Sequence, residues 1–257
     1  MPVLPNIFTT GNLSFGLLSI LTSIEIVSAM AGGNASEAWV FKKFWWAGAF
    51  IVISFFFDTL DGRLARFIRH ESSFGLSYDS ISDIVSFGVA PAVLIYVWTL
   101  MDKGKLGLMA VIVYVVCAAL RLARFNVQSG TVERFSFTGL PSPMAAGLMV
   151  SPMMLLASLK MMPDERVLWY YLVAAPVIGL LMVSNVKYTK QPALKLGGPF
   201  NALVVAAIII AAVITNPEIM FIFLVYLYAV SGLVIHTLKY LTAKHRVGEE
   251  TDTGGTG

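Results

Sequence analysis

Charged side chains are scarce in this 257-residue chain: Asp, Glu, Lys and Arg make up 13% of it, about half the share of a soluble domain. Hydrophobic residues supply 57% and the mean hydropathy is +0.78. This excludes an ordinary water-soluble globule and points to an all-α polytopic membrane protein. Cysteine is almost missing. Cys117 stands alone, which excludes an intrachain disulfide and a cysteine-rich zinc site. The opening Met1-Pro2-Val3-Leu4-Pro5-Asn6 has no basic region ahead of its apolar stretch and does not resemble a cleaved signal peptide. The net charge of +3 is too small to suggest a nucleic-acid partner, and none is expected.

Apolar runs predict about eight transmembrane helices, near 12–31, 44–67, 79–99, 106–126, 142–159, 167–184, 200–215 and 218–241. The chain divides into a membrane core over 1–190, two further C-terminal helices over 191–242 and a Gly-, Thr- and acid-rich tail over 243–257, expected to be disordered. Eight spans put both termini on one side. Twelve basic residues then fall on that side, Arg63, Arg66, Arg69, Arg121, Arg124, Arg134, Lys187, Lys190, Lys195, Lys239, Lys244 and Arg246, against six on the other. The excess predicts that the termini face the cytoplasm. Trp45, Trp46, Trp98, Trp169 and Tyr170 fall near span ends and read as interfacial belt residues.

Against this background four aspartates stand out: Asp58, Asp61, Asp79 and Asp83. Carboxylates are costly near hydrocarbon and mark function there. The 58/61 and 79/83 spacings let each pair point from one helix face. The topology brings both pairs to the cytoplasmic ends of adjacent antiparallel helices, where Asp79 and Asp83 would open the third span and suit the helix dipole. Four clustered acids repel one another unless cations intervene. An all-oxygen donor set favours two divalent cations, Mg2+ or Mn2+, over zinc. Such a pair suits pyrophosphate chemistry, with Asp83 as the candidate to take a proton from an alcohol. Gly62 and Ala65 leave room beside the acids for a bulky ligand, or allow close helix packing. Arg63 and Arg66 can meet phosphate oxygens.

The run Asp58-Thr59-Leu60-Asp61-Gly62-Arg63-Leu64-Ala65-Arg66, then eight residues, Gly75, Asp79 and Asp83 matches in full the signature of the CDP-alcohol phosphotransferase family, and the chain resembles that family. The resemblance implies a six-helix catalytic core, a homodimer, and transfer of a phosphatidyl-type group from a CDP-linked lipid to an alcohol with release of CMP. It implies that Asp58, Asp61 and Asp79 hold one metal. Asp58, Asp79 and Asp83 would lie on or near the second, with Asp83 also the general base. Gly62, Ala65, Arg66 and Gly75 would line the CDP side.

Further blocks are similar to the members of the family that use L-serine: Leu4 to Leu13, Ser80 to Pro91, Leu120 to Val127 and Phe137 to Pro143. They imply serine as acceptor and an enzyme whose site faces the cytoplasm. Arg121 and Arg124, level with the acids, are candidates for the serine carboxylate or for the CDP phosphates, the alternative being charge anchoring of the span. Asn126 can orient the serine hydroxyl or cap its helix. Gly139 to Pro143, with Ser142, reads as a rigid loop closing the polar pocket. Asn6, Thr9 and Asn12 are candidates for contacts to cytidine or its phosphates, unless Thr9 or Thr10 caps the first helix. Met182 to Tyr188 is similar to a family stretch that ends in Arg-Tyr. Here Lys187 keeps the charge without the bidentate fork. Two rival expectations remain: a sibling enzyme using glycerol phosphate or inositol phosphate, and a metal ion transporter built on the same acids.

Overall fold

The computed structural model describes residues 3–33, 35–68, 73–128, 136–189, 215–232 and 234. Helix α1 (Val3–Ala31) turns at Gly32 and Gly33 into α2 (Glu37–Ile68). A continuous helical rod follows: α3 (Ser73–Asp83), a π-helical turn (Ile84–Val89), α4 (Ala90–Ile95), a second π turn (Tyr96–Leu100) and a 3-10 turn (Met101–Lys103). Gly104 reverses the chain into α5 (Lys105–Gln128). Helices α6 (Ser142–Ser158) and α7 (Glu165–Val183) come next, then α8 (Pro217–Gly232). Among the described residues five helices are long and apolar enough to cross a membrane: Asn6–Ala31, Glu37–Gly62, Phe74–Lys103, Lys105–Val127 and Glu165–Val183. Helices α6 and α8 are apolar but shorter. The protein is therefore an all-helical integral membrane protein. Residues 200–214 of the expected span near 200–215, the end of the last span and the 243–257 tail lie outside the described residues. Among the described residues the one regular departure from helix is a ribbon of two three-residue strands, β1 (Ser136–Thr138) and β2 (Lys187–Thr189), paired antiparallel with Phe137 opposite Tyr188.

Helix α1 lies along α2 and α3, α2 packs on α6, and α5 packs on α7. Small residues set the closest approach. A Cβ on Gly16 would collide with Ser86, whose Cα would lie 2.8 Å away, so α1 meets the first π turn almost backbone to backbone. That turn has a covalent cause. Pro91 has no N–H to give to the Phe87 carbonyl four residues earlier. The Tyr114 hydroxyl donates to that carbonyl instead, at 2.8 Å, and the Ala90 N–H reaches back to Val85. A local π turn is one of the recognised outcomes of such a disruption.

Three expectations change. Helix α3 begins at Ser73, so Asp79 and Asp83 sit well past its first turn and draw nothing from the helix dipole. Helix α1 begins at Val3, so Thr9 and Thr10 lie inside it rather than capping it, and the Thr10 hydroxyl donates back to the Asn6 carbonyl at 2.6 Å. Trp98 is a core residue, 4% exposed, with its ring edge-on to Phe44 at 4.6 Å. The rod continues past it to Lys103, so Trp98 lies inside the helix rather than at its end.

Candidate active site

The site forms where α1, α2 and α3 converge, at the end of α2 away from Trp45. Asp58, Asp79 and Asp83 each present a carboxylate oxygen, and these oxygens all lie within 4.8 Å of one another. All three residues are half-buried. Oxygens that share one hard cation lie at most about 4–5 Å apart, given metal–oxygen distances of about 2.0–2.6 Å. The spacing and the purely oxygen donor set therefore fit a hard divalent cation. Asp61 stands apart from this trio. It is 6% exposed and accepts a hydrogen bond from the Thr9 hydroxyl of α1.

A layer of small polar side chains holds α1 in place behind the acids. Asn12, fully buried, donates from Nδ2 to Asp83 Oδ1 at 3.1 Å. Its backbone carbonyl accepts from Ser54 at 2.6 Å and Ser86 at 2.9 Å, and Ser54 Oγ also lies 2.5 Å from its Oδ1. Ser82 donates to the Thr9 carbonyl at 3.1 Å. Thr9 and Asn12 thus meet the acids themselves. Their i, i+3 spacing is that of one helix face. Ser54, Ser82 and Ser86 were not singled out in the sequence. Ser82 and Ser86 lie either side of Asp83 and Ser54 one turn before Asp58, but no local pattern separates them from serines that bond their own helix.

The arginines part company. Arg121 Nη1 donates to Ser142 Oγ at 2.6 Å, and the guanidinium interacts electrostatically with Asp83 and Asp58. Its Nε is buried without a hydrogen-bond partner among the described residues. Arg124 instead spans to the end of α7, donating from Nη1 to the Val183 carbonyl at 3.2 Å and from Nη2 to Asn185 Oδ1 at 2.9 Å. Asn126 pairs with Ser80 of α3 at 2.9 Å. Ser142 opens α6, after a tight segment in which Gly139 takes φ +85 and donates to the Val186 carbonyl at 2.8 Å. A Cβ there would strike the Met182 carbonyl, so glycine is required both by conformation and by space. Gly62 is exposed and Gly75 half-buried. The side chains of Ala65, Arg66 and Lys187 lie outside the described residues.

Fold and site together define an integral membrane protein with an oxygen-donor acidic centre at one end of its helix bundle. The chain belongs to the CDP-alcohol phosphatidyltransferase family, whose model matches residues 2–181. Among similar proteins, a CDP-diacylglycerol–serine O-phosphatidyltransferase of Helicobacter pylori is 33% identical over 186 residues, covering 72% of this chain and 70% of the relative. A protein of the same name from Mycobacterium leprae is 32% identical over 255 residues, 95% of this chain and 78% of the relative. An archaetidylserine synthase of Methanothermobacter thermautotrophicus is 38% identical over 145 residues, 56% of this chain and 54% of the relative.

Proposed function

We propose that this protein transfers the phosphatidyl-type group of a CDP-linked lipid to the hydroxyl of L-serine, releasing CMP. The observation that carries the reading is the Asp58, Asp79 and Asp83 trio, with ligand oxygens within 4.8 Å of one another, in a chain whose relatives bear serine O-phosphatidyltransferase and archaetidylserine synthase names. Asp58, Asp79 and Asp83 would hold one divalent cation, with Asp61 available for a second. Bound there, Mg2+ or Mn2+ would neutralise pyrophosphate charge and stabilise the departing CMP.

The chain's own residues do the rest. Asp83, aimed by Asn12, takes the proton of the serine hydroxyl as that oxygen attacks the lipid-side phosphorus. The new bond joins serine oxygen to phosphorus, and the bond that breaks releases CMP. Gly62, Ala65, Arg66 and Gly75 line the nucleotide side. The lipid tails stay in the bilayer, the site faces the cytoplasm and the enzyme acts as a homodimer.

An acceptor panel tests the reading. Purified protein with CDP-diacylglycerol and Mg2+ or Mn2+ is expected to release CMP with L-serine, to fall silent with chelator, and to ignore glycerol 3-phosphate and inositol phosphate. CMP release with either phosphate acceptor and none with serine would overturn it in favour of a sibling activity. Metal flux through proteoliposomes without CMP release would favour a transporter.

A further inference from the structure

Resting on the serine-transfer reading, we infer that Arg121 is the residue that selects serine by its carboxylate, while Arg124 is a structural pin. The two arginines lie one helical turn apart on α5, and sequence alone gives them equal claims. Their surroundings do not. Both terminal nitrogens of Arg124 are engaged by the end of α7, through the Val183 carbonyl and Asn185. Those bonds tie α5 to α7 and take up one N–H on each terminal nitrogen.

Among the described residues Arg121 is held from one corner. Nη1 is fixed by Ser142 at 2.6 Å, and Ser142 is itself fully buried at the start of α6. Nε carries a buried N–H with no partner. An orphaned donor of this kind is costly in a finished structure, and a ligand oxygen would satisfy it. With Nη1 taken, the edge formed by Nε and Nη2 matches the two oxygens of a carboxylate.

Position assigns that edge to the acceptor. The guanidinium interacts with Asp83 and Asp58, and Asp83 is where the attacking hydroxyl must lie. In serine the hydroxyl oxygen and the carboxylate carbon are three bonds apart. A serine whose hydroxyl meets Asp83 therefore brings its carboxylate close to the cation nearest that acid. Ser142 acts as a positioning residue, setting the plane of the guanidinium.

The experiment compares wild type, Arg121→Gln, Arg121→Lys, Ser142→Ala and Arg124→Gln. Its readouts are KM for serine, KM for CDP-diacylglycerol, and the thermal shift given by CDP without turnover. Loss of a charge-assisted pair predicts a rise in serine KM of roughly 10- to 150-fold in Arg121→Gln, with lipid KM and the CDP shift unchanged. Arg121→Lys, which keeps the charge but loses the fork, and Ser142→Ala should give smaller rises confined to serine. They keep the inference testable if Arg121→Gln does not fold. Arg124→Gln should lower Tm and move both KM values together. A loss of the CDP shift in the Arg121 variants would assign the residue to the nucleotide phosphates. An unchanged serine KM would leave it as a counter-charge to the acids. Either result overturns the inference. No CMP release from wild type with serine would instead sink the functional reading, and this assignment with it.

Discussion

Asn12 bonds to both its neighbouring helices from one position on α1. Its amide donates to Asp83, and its backbone carbonyl is gripped by Ser54 and Ser86. Replacing the side chain by alanine leaves the backbone grip intact and removes the aim of the carboxylate. Asn12→Ala is expected to lower kcat by roughly tenfold or more, the worth of one hydrogen bond to a charged group, with little change in CDP-lipid KM. If Asp83 is the base, as proposed, Asp83→Asn removes the proton acceptor and should reduce CMP release by about 10²–10⁴-fold. Single-turnover CMP release checks both, and near-normal release by Asp83→Asn would remove it from the role of base. At this scale the acids were legible because carboxylates in apolar sequence have few structural uses. The serines behind them were not, because a buried serine in a helix commonly bonds its own preceding carbonyl, as Ser23 does. Nothing local marks the ones that reach another helix.

Among the elements, the contact between α1 and the first π turn decides whether Asn12 reaches Asp83. Gly16 leaves no room for a side chain against Ser86. Gly16→Val is expected to destabilise the protein by about 1–3 kcal/mol through overpacking, seen as a fall in Tm in detergent. Activity should fall further than stability requires, because the strain acts on the helix that aims the base. A variant with wild-type Tm and wild-type CMP release would show that α1 does not depend on this approach. Most helices were legible as apolar runs of membrane length. The rod from Ser73 to Lys103 was legible only in part. Pro91 announces a missing hydrogen bond, but the rescue of the Phe87 carbonyl depends on Tyr114 arriving from α5. Trp98 was misplaced for a related reason: hydropathy sees the composition of a span end, not the Phe44 ring from α2 that covers it.

Across the whole molecule the helices order the site at one end of the bundle. Trp45 near the start of α2 donates to Glu218 at the start of α8 at 3.0 Å. It lies about 20 Å along the helix from Asp58, at 1.5 Å per residue. The acids and the β1–β2 ribbon therefore belong to one end, and the α6–α7 loop to the other. With Cys117 the only cysteine and 7% exposed, single-cysteine labelling reads the orientation. In intact cells an impermeant maleimide is expected to label Met161→Cys, 52% exposed, and to spare Val127→Cys, 80% exposed, until the membrane is opened. The reverse pattern would put the site outside.

The sequence by itself determined that this is a helical membrane protein, that four aspartates stand at helical spacing in apolar surroundings, and which family it belongs to. Those features rest on composition and on short spacings, which a chain displays before it folds. Tertiary structure decided which carboxylates gather, that Asp61 turns to Thr9 while Asp83 turns to Asn12, and that Arg121 meets Ser142 while Arg124 bonds the end of α7. Those choices depend on hydrogen bonds between residues 52 to 71 positions apart in α1, α2 and α3, and on α5 meeting α6 and α7. Such partners are set by packing, and no local pattern records them.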